Sequence, residues 1–279
     1  MTVLAHDRYC DEITRQTGKF RSVLASGADL SATVPTCPDW TLEELVRHTG
    51  QALRWVEWIV RTRAQEEVPI ERVPGSEGPE ARGDAAALET WLTESGEAVV
   101  AALREAGPDL RVWTWSGVDT SGFWARRMTH ELVVHHADAV LAAGRPFEAV
   151  PPDVAADAVD EWLWIVRLLQ RELPDSPARE LRLPGRSIHL HATDTPPELN
   201  AERSEMGFPP PEGWGRLVEL AEDGVTWRRG HEKATVALRG PLTSVLLAFY
   251  RRIPLDSPDL EVLGDRKLLE FWLERATFE

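Results

Sequence analysis

The sequence is short of cysteine, of basic charge and of long apolar runs, and each shortage removes a class of protein. Its 279 residues include only two cysteines, Cys10 and Cys37. Two thiols cannot form a disulfide framework, and a reducing cytosol is the expected setting. Lys and Arg number 31 against 46 Asp and Glu, a formal charge of −15. A surface that acidic repels phosphate backbones and argues against a nucleic-acid partner. No apolar run approaches the roughly 20 residues that span a bilayer, so no membrane partner is expected either. Residues Met1 to Asp7 show no basic stretch leading into an apolar core, which predicts no signal peptide and a cytoplasmic location. The chain also lacks internal repeats and low-complexity tracts. What it has is the composition of a globular protein, 43% hydrophobic and 28% charged, with 12 tryptophans that must mostly be buried or line a cavity. At roughly 100–200 residues per domain, the length suggests two domains.

The first half reads as helices and loops. Ile13, Phe20, Val23 and Leu24 mark a helix from about Asp7 to Ala25. Thr41-Leu42-Glu43-Glu44 is a capping box, with Trp40 and Leu45 placed as a hydrophobic staple, and apolar spacing continues the second helix to about Arg63. Residues 66–83 are charged, aperiodic and punctuated by Pro and Gly, hence a loop. A third helix is expected from Asp84 to Ala106 and a fourth from Gly122 to Ala143, each stopped by a Gly with Pro close behind. Four long helices in about 145 residues make a four-helix bundle. Pro151-Pro152 marks the boundary, giving domains 1–150 and 151–279. Beyond it one helix, about Asp153 to Glu172, precedes alternating strand patterns at Ser187–Ala192, Leu217–Leu220, Val225–Trp227 and Ala234–Leu238. Pro241–Tyr250 and Asp265–Ala276 look helical with a short strand at Leu260–Val262 between them, and Thr195–Gly213 is a long loop. Mostly antiparallel strands with attached helices give an α+β domain.

The fourth helix carries Arg126-Arg127-Met128-Thr129-His130-Glu131 and then His135-His136-Ala137-Asp138. This is not the zinc-protease His-Glu-x-x-His helix. His130 and His135 are five apart, about 140° around a 3.6-residue helix, and cannot share a small ion. Glu131 and His135 are four apart and stack on one face. They lie on the seam Trp124, Met128, Glu131, His135, Asp138, whose spacing faces a bundle interior. An inward carboxylate and imidazole need a partner. A divalent cation is one solution, and an ion pair on a partly solvated face is the other. His48, two turns into the capped helix, sits at the edge of that helix's apolar stripe, either as a solvated residue or as a third ligand. With it the set is His₂Glu, three protein ligands with an open position, the pattern of a catalytic zinc site. Asp138 could orient His135 from behind. His189 and His191 share one face of a strand, but with no third ligand in sequence reach they read as strand-surface residues.

The run Thr36-Cys37-Pro38-Asp39-Trp40-Thr41 leading to Val46-Arg47-His48-Thr49, followed by Arg126-Arg127-Met128-x-His130-Glu131-x-x-x-His135-x-x-Asp138, resembles the mycothiol-dependent maleylpyruvate isomerase family. Asp223-Gly224-Val225-x-Trp227, Arg239-Gly240 and Gly264-Asp265 extend the resemblance through the second half. It implies a DinB-like metal-binding four-helix bundle followed by a small α+β domain similar to sterol carrier protein 2. It also implies that His48, Glu131 and His135 match the family's zinc ligands, that mycothiol or a similar thiol is the co-substrate, and that a second-domain arginine takes part. Arg239, Arg251 and Arg252 are the candidates for that arginine. The adjacent His136 is a competing ligand for the position of His135.

A zinc ion held by two imidazoles and one carboxylate keeps positive charge and an open position, and a thiol entering it is deprotonated. The thiolate can add to an activated double bond. Rotation and loss of the thiol then give cis–trans isomerisation, whereas retention gives a conjugate. Cys10 and Cys37 have no histidine base nearby in sequence, so the reactive sulfur is expected from a small molecule. Trp55, Trp58 and Gln51 could wall a pocket, Trp113-Thr114-Trp115 could cover its mouth, and Arg126 and Arg127 could meet a substrate carboxylate. Ordinary packing and surface pairing are the alternatives for these residues. The partners expected are thus a small electrophile and a thiol, with the protein a monomer or homodimer. Two other functions fit the same residues: hydrolysis or cyclisation by metal-activated water, or a non-catalytic lipid or small-ligand carrier.

Overall fold

The computed structural model describes residues 4–196, 199 and 214–277, and the chain divides into two compact units, Leu4–Glu148 and the residues from Ala149 onward. In the first unit α1 (His6–Ala25), α2 (Leu42–Thr62), α3 (Ala85–Ala106) and α4 (Ser121–Ala142) form a four-helix bundle. Helices α1 and α2 each pack against both α3 and α4. Between α1 and α2 lies an antiparallel ribbon of β1 (Thr33–Val34) and β2 (Cys37–Thr41). A helix-and-loop reading of this half omits that ribbon. Strands of two and five residues, one interrupted by Pro38, are too short to show an alternating pattern.

The start of α2 is fixed by the capping box: Glu44 N–H donates to Thr41 Oγ1 at 3.3 Å and Thr41 N–H donates to Glu44 Oε2 at 2.8 Å. Both orphan donors are thereby satisfied, which sets the register of every residue downstream, His48 included. Helix α3 approaches α2 closely at one point. A Cβ on Gly50 would lie 2.2 Å from the Trp91 ring, so only glycine lets the indole lie across α2 there. The Trp91 indole N–H then donates to Gly75 O at 2.8 Å, tying down the α2–α3 loop. Within that loop Ile70–Arg72 form a single 3₁₀ turn. Helix α4 is buried around most of its circumference, with Trp124, Met128, His130, His136 and Asp138 all inside.

The second unit holds α5 (Pro152–Glu172), strands β3 (Ser187–Ala192), β4 (Gly215–Ala221), β5 (Gly224–Arg229), β6 (Val236–Gly240) and β7 (Glu261–Gly264), and helices α6 (Leu242–Phe249) and α7 (Arg266–Arg275). The sheet order is β5-β4-β3-β6-β7. The β3–β6 pair is parallel and the other three are antiparallel. Ile188, Leu190, Val218, Val236 and Leu238 are fully buried on one face. On the same face Arg216, opposite Leu190, forks onto Asp160 of α5 with two hydrogen bonds of 2.7 Å. That pairing places α5 over this side of the sheet. Alternation sends His189, His191, Gly215 and Leu217 to the other side. The long loop expected at Thr195–Gly213 falls almost entirely outside the described residues.

Candidate metal centre

Three side chains from two helices converge inside the first unit. His48 comes from α2, and Glu131 and His135 come from successive turns of α4. His48 Nε2 and His135 Nε2 each lie 3.2 Å from the same atom, Glu131 Oε1. The two imidazole rings are 5.1 Å apart and nearly perpendicular, and one ligand atom from each residue lies within 4.8 Å of the others. Two imidazole nitrogens and a carboxylate oxygen so placed fit one small divalent ion, and the N₂O donor set suits zinc.

Each group is held from behind. Asp138 Oδ2 lies 2.9 Å from His135 Nδ1, and Thr36 Oγ1 donates to Asp138 Oδ1 at 2.5 Å. With Nδ1 committed to Asp138, Nε2 is the nitrogen turned toward Glu131, the arrangement that orients a metal-binding histidine. Arg127 donates to the other carboxylate oxygen, Glu131 Oε2, at 3.0 Å. The electrostatics follow. Burial by itself would raise the Glu131 pKa, but the charge and hydrogen bond of His135, the hydrogen bond of His48 and the Arg127 guanidinium hold it well below the ordinary carboxylate value. Burial would lower that of His135, yet Glu131 and Asp138 push it up to about 9. Two carboxylates facing one imidazole thus call for positive charge between them, which a proton on the ring or a bound cation can supply.

The cluster has an outlet. A cleft of about 300 Å³ reaches His48 and is lined by Trp40, Glu44, Arg47, Gln51 and Arg82 among others. Trp40, on β2, lays its indole 4.7 Å from the His48 ring and 6.2 Å from the His135 ring. Sequence reading assigned Trp40 only to the helix cap. Its contact with two residues on different helices leaves no trace in spacing, and the resemblance through the Pro-x-Trp-Thr run was the only signal. Arg47 builds the cleft wall rather than binding in it: its guanidinium donates to Glu77 O, Pro79 O and Ala81 O at 2.9–3.0 Å and pairs with Glu43 at 2.9 Å. Burial alone would raise the Glu43 pKa, but the Gly83 N–H and Arg47 hold it below its usual value. Arg82 remains largely exposed at the rim.

The remaining candidates are dispersed. His130 is buried edge-on against Tyr9. His136 lies between Phe20 and Phe147, and burial lowers its pKa to about 4. Of the adjacent pair, His135 is thus the one that joins the cluster. Arg126 and Arg127 are both buried in α4, and Arg127 is bound to Glu131 rather than facing open space. Gln51 lines the cleft, but Trp55 packs against Trp113 and Trp124, and Trp58 lies under the Arg61 guanidinium. In the second unit Arg239 pairs with Glu261 at 3.2 Å, Arg251 is exposed just past α6 in a left-handed conformation, and Arg252 donates to Tyr250 O at 2.8 Å. Neither Cys10 nor Cys37 is in a disulfide. Burial pushes Cys10 up to about 11, which suppresses its thiolate.

Two family models match the chain. The mycothiol maleylpyruvate isomerase N-terminal domain covers residues 10–140, and the C-terminal domain of the same family covers residues 153–271. No curated protein sequence matches it. Among solved structures, a histidine-to-alanine variant of the mycothiol-dependent maleylpyruvate isomerase is similar in fold, with a TM-score of 0.57 at 15% identity over 95% of this chain and 97% of that one.

Proposed function

We propose a function from one premise: this chain belongs to the mycothiol maleylpyruvate isomerase family. It is read as a metal-dependent enzyme that uses a small thiol, mycothiol or a close relative, to isomerise or conjugate a small electrophile with an activated double bond. The observation that carries this reading is the convergence of His48 Nε2, Glu131 Oε1 and His135 Nε2 beside a cleft of substrate size. These three residues would hold the ion, most simply zinc. When bound, such an ion supplies a thiol with enough positive charge to ionise it at neutral pH.

The chain's own residues do the rest. Asp138 and Thr36 fix the His135 ring, and Arg127 fixes the Glu131 carboxylate, so the site is set before anything enters. Trp40 covers one side of both imidazoles with an apolar face that keeps water from the reacting sulfur. Arg82 at the rim is placed to meet a substrate carboxylate. Cys10, buried and held as the thiol, does not replace the small-molecule nucleophile.

The test is turnover of maleylpyruvate, and of a panel of other cis-enoic acids and alkylating electrophiles, by zinc-loaded protein with and without mycothiol. Turnover that requires the thiol and disappears in His48→Ala is the expected result. Turnover that continues without any thiol would replace this reading with metal-activated water chemistry. No turnover, together with lipid carried through purification, would favour a carrier.

A further inference from the structure

We propose that the second unit carries a metal site of its own, in which His189, His191 and His231 bind one divalent transition-metal ion. His189 and His191 are two residues apart on β3 and so share a face. The structure adds the third member, His231, from the loop that follows β5. The three rings are mutually adjacent, with centroids 5.4 Å (His189–His191), 5.3 Å (His189–His231) and 4.9 Å (His191–His231) apart. One nitrogen of each lies within 4.8 Å of the other two.

Several independent features point to a built site rather than a chance crowd. His189 is buried, and its Nε2 has no hydrogen-bond partner, a costly state for a buried polar atom. The same ring is hydrogen-bonded to the Gly230 backbone. Since Nε2 is unpartnered, the bonded atom is Nδ1, which leaves Nε2 available as a ligand atom. Gly215, directly opposite His191 on β4, makes room for the third ring. A Cβ there would lie 2.7 Å from His231 Cε1 and Nε2 and 2.5 Å from Gly230 O. Two neighbouring cations are already paired, Arg228 with Glu232 at 2.7 Å and Arg239 with Glu261 at 3.2 Å.

The donor set names the ligand class. Three imidazoles suit Zn²⁺, Ni²⁺ or Cu²⁺, whereas Mg²⁺ and Ca²⁺ require oxygen ligands. Three protein ligands leave a coordination position open. An ion bound here would also tether the loop after β5 to the middle of the sheet.

The experiment is a Zn²⁺ titration of the chelated full-length protein, read as equivalents bound at micromolar free metal. His231→Ala is expected to bind one equivalent fewer than the parent. In a His48→Ala/Glu131→Gln chain, which disables the first cluster, one equivalent should persist and be lost when His231→Ala is added. His191→Gln, checked for native circular dichroism, should behave as His231→Ala does. Excess Mg²⁺ should not displace the ion. Equal stoichiometry in the parent, His231→Ala and His191→Gln would overturn the site, and so would displacement by Mg²⁺.

Discussion

The two histidine clusters of this chain employ the same side chain and differ in almost everything that supports it. In the bundle, His48 and His135 flank a carboxylate, and charged or polar groups stand behind them: Arg127 on Glu131, and Asp138 with Thr36 on His135. In the sheet, His189, His191 and His231 face one another, His189 bonds to the Gly230 backbone, and Gly215 leaves room for the His231 ring. The first cluster is set on rigid helices beside a cleft, the second on a strand and a loop. A carboxylate ligand partly cancels the charge of a dication and can be tuned through its partners. A set of neutral ligands leaves the full charge on the ion. The comparison teaches that two clusters built on the same imidazole differ through the carboxylate among them and the polar groups placed behind it.

That contrast can be broken or sharpened by substitution. The largest effect expected is from Glu131→Gln, which should abolish metal binding at the bundle site and leave the tri-histidine equivalent in place; elemental analysis of both proteins checks this. Next is Asp160→Ala, which strands the buried Arg216 guanidinium without its partner and should cost the second unit about 3–5 kcal/mol. Chemical denaturation should show that loss, and metal should leave the sheet site while the bundle site keeps its own. Asp138→Asn keeps all three bundle ligands but weakens the orientation of His135, and should lower zinc affinity there about 10–100-fold with no change at the sheet site, as competition with a chelator will show. The smallest effect belongs to Thr41→Ala. Loss of the cap that sets the α2 register should cost about 1 kcal/mol of stability, read from the denaturation midpoint, with ligand identity untouched.

Cysteine reactivity offers a further check on the source of the sulfur. Cys10 is fully buried and its pKa is raised to about 11 by burial, whereas Cys37 is only half-buried. Alkylation of the native protein at pH 8 should label Cys37 well before Cys10, and mass spectrometry of the labelled peptides decides it. Early labelling of Cys10 would reopen the protein's own thiols as nucleophiles.

Local patterns were legible to the extent that the physics behind them is local. The capping box at Thr41 and Glu44, the helical spans of α1 to α5 and the 4-residue spacing of Glu131 and His135 all follow from hydrogen bonds and side-chain periods within a few residues. The alternation of Ser187–Ala192 likewise placed His189 and His191 on one face. The ribbon of β1 and β2 was missed because its strands are too short to carry a period. Arg127 read as a surface or substrate-binding group because nothing in the sequence shows that α4 is buried nearly all round.

By itself, then, the sequence determined the four-helix bundle and the stacking of Glu131 and His135 on one helix face, whereas His48 as their partner was an expectation from family resemblance alone. Only the tertiary structure decided that Trp40 lies across two imidazoles, that Arg47 spends its guanidinium on three loop carbonyls, and that His231 joins a strand pair some 40 residues earlier in the chain. The physical reason is that these contacts are made between elements distant in sequence. Their existence depends on how helices cross and strands register, and neither the period of a segment nor its composition records that.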